Sequence, residues 1–351
     1  MNDVYYENDK NKGVIEVFSK FFIIFSLFFS FINPLTTTAQ ENRVPYSVKP
    51  ILPENQLDPQ VTYFDLAMEP KQEQDLEVQV YNSSNEPIKV SVTTHFAATN
   101  GNGILTYNGD IKTFDESMKY PFNKQSVVLE KELNIEPKKQ KTAIIKVKAP
   151  HESFDGQILG GIHFTLKNDA MESEEAIGFQ NEYAYVIGVN ITELNNDKKV
   201  EPELILNGVE VGLINHRTGL QTSFSNKSPV LIEDLCFVGE IFQKGEEEAL
   251  YDRTVENFSI GPNNKFHFPI SFANQPLEEG DYIFKANVKN EEYEWNFEES
   301  FSITEEKAHE TNDGAIELAS TFQWIKVFLV FLILLVLILI VMLFKLWKKK
   351  K

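Results

Sequence analysis

The sequence predicts an all-β region of two immunoglobulin-like β-sandwich domains in tandem, followed by one C-terminal transmembrane α-helix. Three observations carry that prediction. Apolar and polar residues alternate in short runs between Asn- and Gly-rich turns through most of the chain. A long uncharged apolar run, Val327 to Phe344, stops at a block of lysines near the C-terminus. A shorter apolar run near the N-terminus gives way to small residues.

Taken in order, Lys10, Lys12 and Lys20 precede the apolar stretch Phe21 to Ile32, which Asn33 and Pro34 break. At about 12 residues it is short for a bilayer span and suits the apolar core of a signal peptide. Thr37-Thr38-Ala39 supplies the small residues for cleavage before Gln40, so residues 1–39 read as a signal peptide. The segment ahead of the apolar core also carries Asp3, Glu7, Asp9 and Glu16, which leaves uncleaved anchoring as the alternative.

Residues 40–168 read as the first sandwich. Leu76-Val78-Val80, Ile88-Val90-Val92 and Ile145-Val147-Ala149 place apolar side chains at every second position, so one face of each strand meets a core. Asn82 to Pro87 separates the first two runs, and the order of runs and turns suggests a meander. Asn100-Gly101-Asn102-Gly103 makes a hairpin tip before Tyr107, a plain turn or an aromatic platform with amides for a sugar. Gly160-Gly161 opens the run to Leu166 and indicates a bulge or a close backbone approach rather than a phosphate cradle.

The acidic stretch from Asp169 to Glu175 lacks apolar periodicity, so residues 169–182 read as a linker. The second sandwich is expected over 183–304. It opens with the nearly continuous apolar run Tyr183 to Ile191, and alternating runs follow at Phe266 to Phe272, Tyr282 to Val288 and Tyr293 to Phe297. Pro269 confines its strand to an edge, and Gly261-Pro262-Asn263-Asn264 marks a turn. Polar residues 305–323 suggest a stalk. Residues 324–346 form the expected membrane span, with Trp324 and Trp347 at the two interfaces. Residues 347–351 would then be a cytoplasmic basic tail, because Lys345 and Lys348 to Lys351 follow the positive-inside rule.

The 351 residues carry a net charge of −19, with 42% hydrophobic and 24% charged residues. That composition is that of a folded chain, and its charge would be repelled by a phosphate backbone, so nucleic acid is not expected as a partner. Cys236 is the single cysteine, which rules out an internal disulfide and fits a Gram-positive cell surface. Its apolar surroundings suggest a buried small hydrophobe. His95, His151, His163, His216, His267 and His309 are scattered without metal-ligand spacing, and no nucleophile elbow, P-loop or dinucleotide fingerprint is present. The carboxylates of Glu246 to Glu248, Glu291 and Glu292 read as solvated loops. The expectation is therefore no catalytic, cofactor-binding or metal residue, no cofactor, no enzymatic activity, and a ligand-binding set that the residues do not reveal.

Tyr63-Phe64-Asp65-Leu66, Ala98 to Gly103 with Tyr107, the stretch FDGQILGGIHF from Phe154 to Phe164, and NEYAYVIGV from Asn181 to Val189 resemble the WxL-interacting proteins of Gram-positive bacteria. The resemblance covers the whole exported region. It implies a peptidoglycan-binding first domain, a host-binding second domain and a C-terminal membrane helix. It further implies WxL-domain surface proteins, peptidoglycan and host extracellular proteins as partners, with membrane lipid around the helix. The expected function is that of a membrane-anchored adaptor that contributes to adhesion. The alternative is a membrane-held assembly chaperone that lends an edge strand to exported subunits. Tyr63, Phe64 and Leu66 are expected in the first core, and Tyr183, Tyr185 and Val189 in the second.

Overall fold

The structure, a computed structural model, describes residues 44–167, 183–196, 198–316, 318 and 328–338. The signal peptide, the 169–182 linker and the basic tail assigned from sequence lie outside the described residues.

Eleven strands come first: β1 (Tyr46–Ile51), β2 (Phe64–Met68), β3 (Glu73–Asn82), β4 (Ile88–Phe96), β5 (Ala98–Thr99), β6 (Leu105–Thr106), β7 (Ser126–Val128), β8 (Glu132–Ile135), β9 (Gln140–Lys148), β10 (Gln157–Lys167) and β11 (Ala184–Glu193). One sheet runs β1-β3-β9-β7, the other β2-β11-β10-β4-β8, and β5-β6 is a small hairpin. The alternation seen in the sequence turns Leu76, Val78, Val80, Val90, Val92, Ile145 and Val147 inward, where each is essentially fully buried. Phe64, Leu66, Ile162, Phe164, Val189 and Ile191, from the same sheet as Val90 and Val92, are equally buried opposite the β3 and β9 side chains. The Tyr46 hydroxyl donates to the Phe164 carbonyl at 2.8 Å, stitching one sheet to the other.

This is not the meander expected. The turn from Asn82 to Pro87 carries the chain between sheets, since β3 and β4 lie in different ones. Fully buried Asn82 makes the crossing feasible. Its Nδ2 donates to the carbonyls of Glu86 (2.7 Å) and Ile135 (3.0 Å), and its Oδ1 accepts from Ser84 N (2.9 Å), so few backbone groups are stranded.

The boundary of the second sandwich also moves. β11, expected to open that sandwich at 183, belongs to the first, where it runs antiparallel to β10 and parallel to β2. Its near-continuous apolar run suits a strand with neighbours on both sides. Tyr183 and Tyr185 therefore accompany the first sandwich, with Tyr185 edge-on to Tyr46 at 5.0 Å. Tyr63 is 41% exposed rather than in the core, because it precedes β2 on the outer side.

The second sandwich comprises β12 (Leu204–Ile214), β13 (Arg217–Asn226), β14 (Ile232–Gln243), β15 (Ala249–Ile260), β16 (Lys265–Ser271), β17 (Gly280–Lys289) and β18 (Glu294–Ile303). Its sheets are β12-β13-β16 and β15-β14-β17-β18, so Pro269 does lie on an edge strand. The core is built on phenylalanine: Phe237 stacks on Phe268 at 4.1 Å, and Phe224 meets Phe237 edge-on at 5.1 Å. Cys236 is half-buried rather than in that core. Irregular pairing along β14 turns Leu235 and Phe237 inward and leaves the thiol outside, 3.5 Å from Glu256.

The expected stalk starts instead as a helix, α1 (Glu305–Gly314), packed back on the second sandwich. Thr304 caps it by accepting from Lys307 N at 3.2 Å, and Glu305 and Glu306 suit the positive end of the helix. Ala308 and Thr311 are buried, while Asn312 exchanges hydrogen bonds with the backbone of Leu277 at 2.7 and 3.0 Å. Residues 328–338, inside the expected span, are helical, and every described side chain there is exposed. Among the described residues no helix is long and apolar enough to cross a membrane.

Candidate functional site

The hairpin β5-β6 determines where the two sandwiches meet. Its Asn100-Gly101-Asn102-Gly103 tip rests on the second sandwich, with Gly103 buried against it and Asn102 at the exposed rim. Gly103 takes φ +73°, and an added Cβ would fall 2.3 Å from the Phe258 ring, so only glycine fits. The Gly103 carbonyl accepts from Ser259 N at 2.9 Å. Asn102 Oδ1 accepts from Arg253 at 2.7 Å, and the Arg253 guanidinium lies 4.6 Å over the Phe268 ring. Behind the tip, buried Asn264 accepts from Thr99 N (2.7 Å) and Oγ1 (2.9 Å) and donates to the carbonyls of Ala97 (2.9 Å) and Pro262 (3.0 Å). Tyr107 leaves the tip altogether and lies in the space over Gly161, where burial, with the Glu233 carboxylate next, pushes its hydroxyl up to about 12.

Gly160 and Gly161 are a close approach, not a bulge: Phe122 fills the space over the first and Tyr107 that over the second, with the ladder unshifted. A second set of contacts closes the junction around Pro229 and Pro262. Lys227 Nζ holds both carboxylate oxygens of Asp115 at 2.9 Å. Burial raises the Asp115 pKa, but bonds from Lys227 and from Ser117 N outweigh it and hold the carboxyl at about 2. Asn263, at φ +53°, donates to Ser117 Oγ at 2.8 Å and to the Lys227 carbonyl at 3.1 Å. Gln157 N donates to the Pro229 carbonyl at 2.7 Å, and Gln157 Oε1 accepts from Leu231 N at 3.0 Å.

Between these contacts lies a cavity of about 390 Å³. The first sandwich contributes the segments Ser117 to Phe122 and Glu152 to Asp155 with Gln157 to Leu159; the second contributes Lys227, Pro229, Pro262 and Asn263. Tyr120 and Phe154 face each other edge-on at 6.5 Å across one wall. Phe154 is pinned at both ends of its peptide, its N donating to Glu193 (2.5 Å) and its carbonyl accepting from Asn196 Nδ2 (2.9 Å). The volume falls within the range of small-ligand sites. The lining charges cancel, two cations (Lys119, Lys227) against two anions (Glu152, Asp155). The Tyr120 ring, backed by buried Phe154, stands beside the side chains of Gln157, Asn263, Ser117 and Ser153, so a sugar face can stack there and its hydroxyls can bond without a net charge. Among the described residues no group of three or more His, Cys, Asp or Glu could hold a metal.

Phe154, Gln157 and Leu159 fall in the stretch singled out from sequence and Pro262 and Asn263 were marked only as part of a turn, while Tyr120, Lys227 and Pro229 carried no signal there. Their shared position arises only when turns far apart in sequence close on one another. The histidines give no comparable cluster: His95 and His163 are neighbours on the outer face of the first sandwich, with ring centroids 6.1 Å apart. Desolvation, reinforced by His163, lowers the His95 pKa.

Two linked β-sandwiches enclose a mixed aromatic and polar cavity at their junction, and both family models that match them describe binding domains. Residues 46–166 match the WxL Interacting Protein peptidoglycan binding domain and residues 174–313 the WxL Interacting Protein host binding domain; the chain belongs to the WxL-interacting protein family. No curated protein matches the chain. Similar solved structures include a chaperone–tip adhesin complex of CFA/I fimbriae biogenesis, 10% identical over 74% of this chain and 98% of that one, with a TM-score of 0.30. The CsuC–CsuE chaperone–tip adhesion subunit pre-assembly complex of Acinetobacter baumannii is 9% identical over 73% and 98%, with a TM-score of 0.30. The E. coli chaperone DraB is 14% identical over 68% and 95%, with a TM-score of 0.25. Similarity this low says nothing of function.

Proposed function

We propose that this chain is a membrane-anchored adaptor of the cell surface that binds peptidoglycan and WxL-type surface proteins and contributes to adhesion to host molecules. The observation that carries the wall-binding part is the junction cavity, where Tyr120 and Phe154 stand beside amide and hydroxyl side chains and the charges of Lys119 and Lys227 offset those of Glu152 and Asp155. An acidic protein cannot draw on bulk attraction for a wall polymer, so stacking and amide contacts are the means available. Membrane anchoring is supported by the uncharged run from Val327 to Phe344, ended by lysines, and by an exposed apolar helix at 328–338 that water alone would not favour. An immunoglobulin-like class is supported in the second sandwich by its division into three and four strands. For protein partners, β18 ends its sheet and pairs with β17 over ten residues without a register shift, which leaves a regular edge for an added strand.

Sedimentation of the purified full chain with insoluble cell wall, at low and high salt, tests the wall-binding reading. Binding is expected at both, with little change between them, because stacking and amide contacts carry it and the lining charges cancel. Tyr120→Ala should weaken it by roughly five- to tenfold, equivalent to about 1 kcal/mol of aromatic contact. Absence of co-sedimentation would remove the reading, and steep loss in salt would remove its mechanism.

A further inference from the structure

The family divides the chain into a peptidoglycan-binding part and a host-binding part, but the cavity does not respect that division. Lys227, Pro229, Pro262 and Asn263 belong to the second sandwich and form one wall, opposite Tyr120 and Phe154 of the first. Resting on the wall-binding reading above, we infer that the cavity is a composite saccharide site: a neutral, acetamido-type sugar of the wall is held by both sandwiches at once, and the first sandwich alone lacks half of it.

Three observations lead there. The second-sandwich wall is fixed in place, because Asn263 bonds Ser117 Oγ, Lys227 clamps Asp115, and the Pro229 carbonyl accepts from Gln157 N. A wall tied down in this way is present before ligand arrives, so binding need not order it. Its chemistry complements the aromatic side: the half-buried pyrrolidine ring of Pro229 offers apolar surface for an acetyl methyl, and Asn263, whose Nδ2 is already bonded to Ser117 and Lys227, offers Oδ1 to accept from the acetamido N–H. Finally, Gly156, at φ +72°, brings the Phe154 loop so close to Pro229 that an added Cβ would fall 2.1 Å from the Pro229 carbonyl oxygen. The rim of the cavity is thus a contact between the two domains.

The consequence is linkage. A ligand that touches both sandwiches stabilises their junction, and by reciprocity a change that opens the junction weakens wall binding in proportion to the fraction opened.

The test uses the full chain. Pro262→Trp fills the cavity from the second sandwich without altering any residue of the first, and Asn263→Gly keeps the positive φ while removing the amide. Each is expected to lower wall co-sedimentation at least tenfold while thermal melting shows a folded protein. Hydrogen exchange on the unaltered chain, with and without soluble wall disaccharide fragments, avoids dependence on how the variants fold. Protection is expected at 227–231 and 260–264 together with 117–122 and 153–159. Protection confined to the latter pair of segments, or wild-type binding by both folded variants, overturns the composite site and leaves the wall-binding reading standing. No binding by the unaltered chain overturns both.

Discussion

Asp115 shows how one side chain can set the pH range of the junction. Only 5% of its side chain is exposed, and Lys227 holds both of its oxygens. Its carboxyl is depressed to about 2, so the ionised form is favoured in the folded state. The stabilisation, on the order of 2 kcal/mol, is present above the ordinary carboxylate pKa near 4 and is lost as pH falls toward about 2. Asp115→Asn should therefore lower the melting temperature at pH 6, with the gap to the unaltered chain closing between about pH 4 and pH 2. Thermal melts across that range check this. A gap of constant size down to pH 2 would assign the effect to something other than the charge.

At the scale of elements, the same device ends β3 and β13. Asn82 and Asn226 are fully buried, and each accepts through Oδ1 from the N–H of the serine two residues on, Ser84 or Ser228. Each donates through Nδ2 to a carbonyl four residues on, of Glu86 or Val230, and to a distant one, of Ile135 or Gly261. The sequence shows an Asn-x-Ser in both places, followed at once by Pro229 in the second and, after two intervening residues, by Pro87 in the first, but only burial separates this plug from an ordinary exposed turn. The helix α1 has a simpler local cause. Thr304→Ala removes its cap and should cost about 1 kcal/mol, seen in urea unfolding and in faster amide exchange over 305–314. Unchanged exchange there would mean that Asn312 and Ala308 hold the helix without the cap.

For the whole molecule, the placement of β11 decides what can be separated. A chain ending at Lys167 would keep every strand of the first sandwich except β11, which lies between β2 and β10. It would lose the burial of Ile187, Val189 and Ile191, at roughly 1.5–3 kcal/mol each, a total comparable with the stability of an entire domain. Such a chain is expected to show no cooperative thermal transition, whereas one that continues through Asn196 retains the complete sheet. Cooperative melting of the shorter chain, followed by circular dichroism, would contradict this. The second family match begins at residue 174, ahead of β11, so a cut between the two matches divides the first sandwich.

Alternation along β3, β4, β9, β10 and β17 was legible from sequence because a strand half in water needs an apolar residue at every second position, whatever its neighbours. The all-β class, the edge position of Pro269 and the turn at Gly261 to Asn264 followed from the same local rules. The family was legible too, through long motifs such as Phe154 to Phe164. The partner of each strand was not. Tyr183 to Ile191 reads as a central strand in either sandwich, and only long-range hydrogen bonding with β10 and β2 assigns it to the first. The cavity was equally out of reach, since Tyr120, Phe154, Pro229 and Pro262 lie far apart in the chain and each alone is an ordinary loop residue. Local steric and hydrophobic rules act over a few residues and determine which strands exist; which strands pair, and which loops meet at a junction, depends on packing free energy shared across the whole fold.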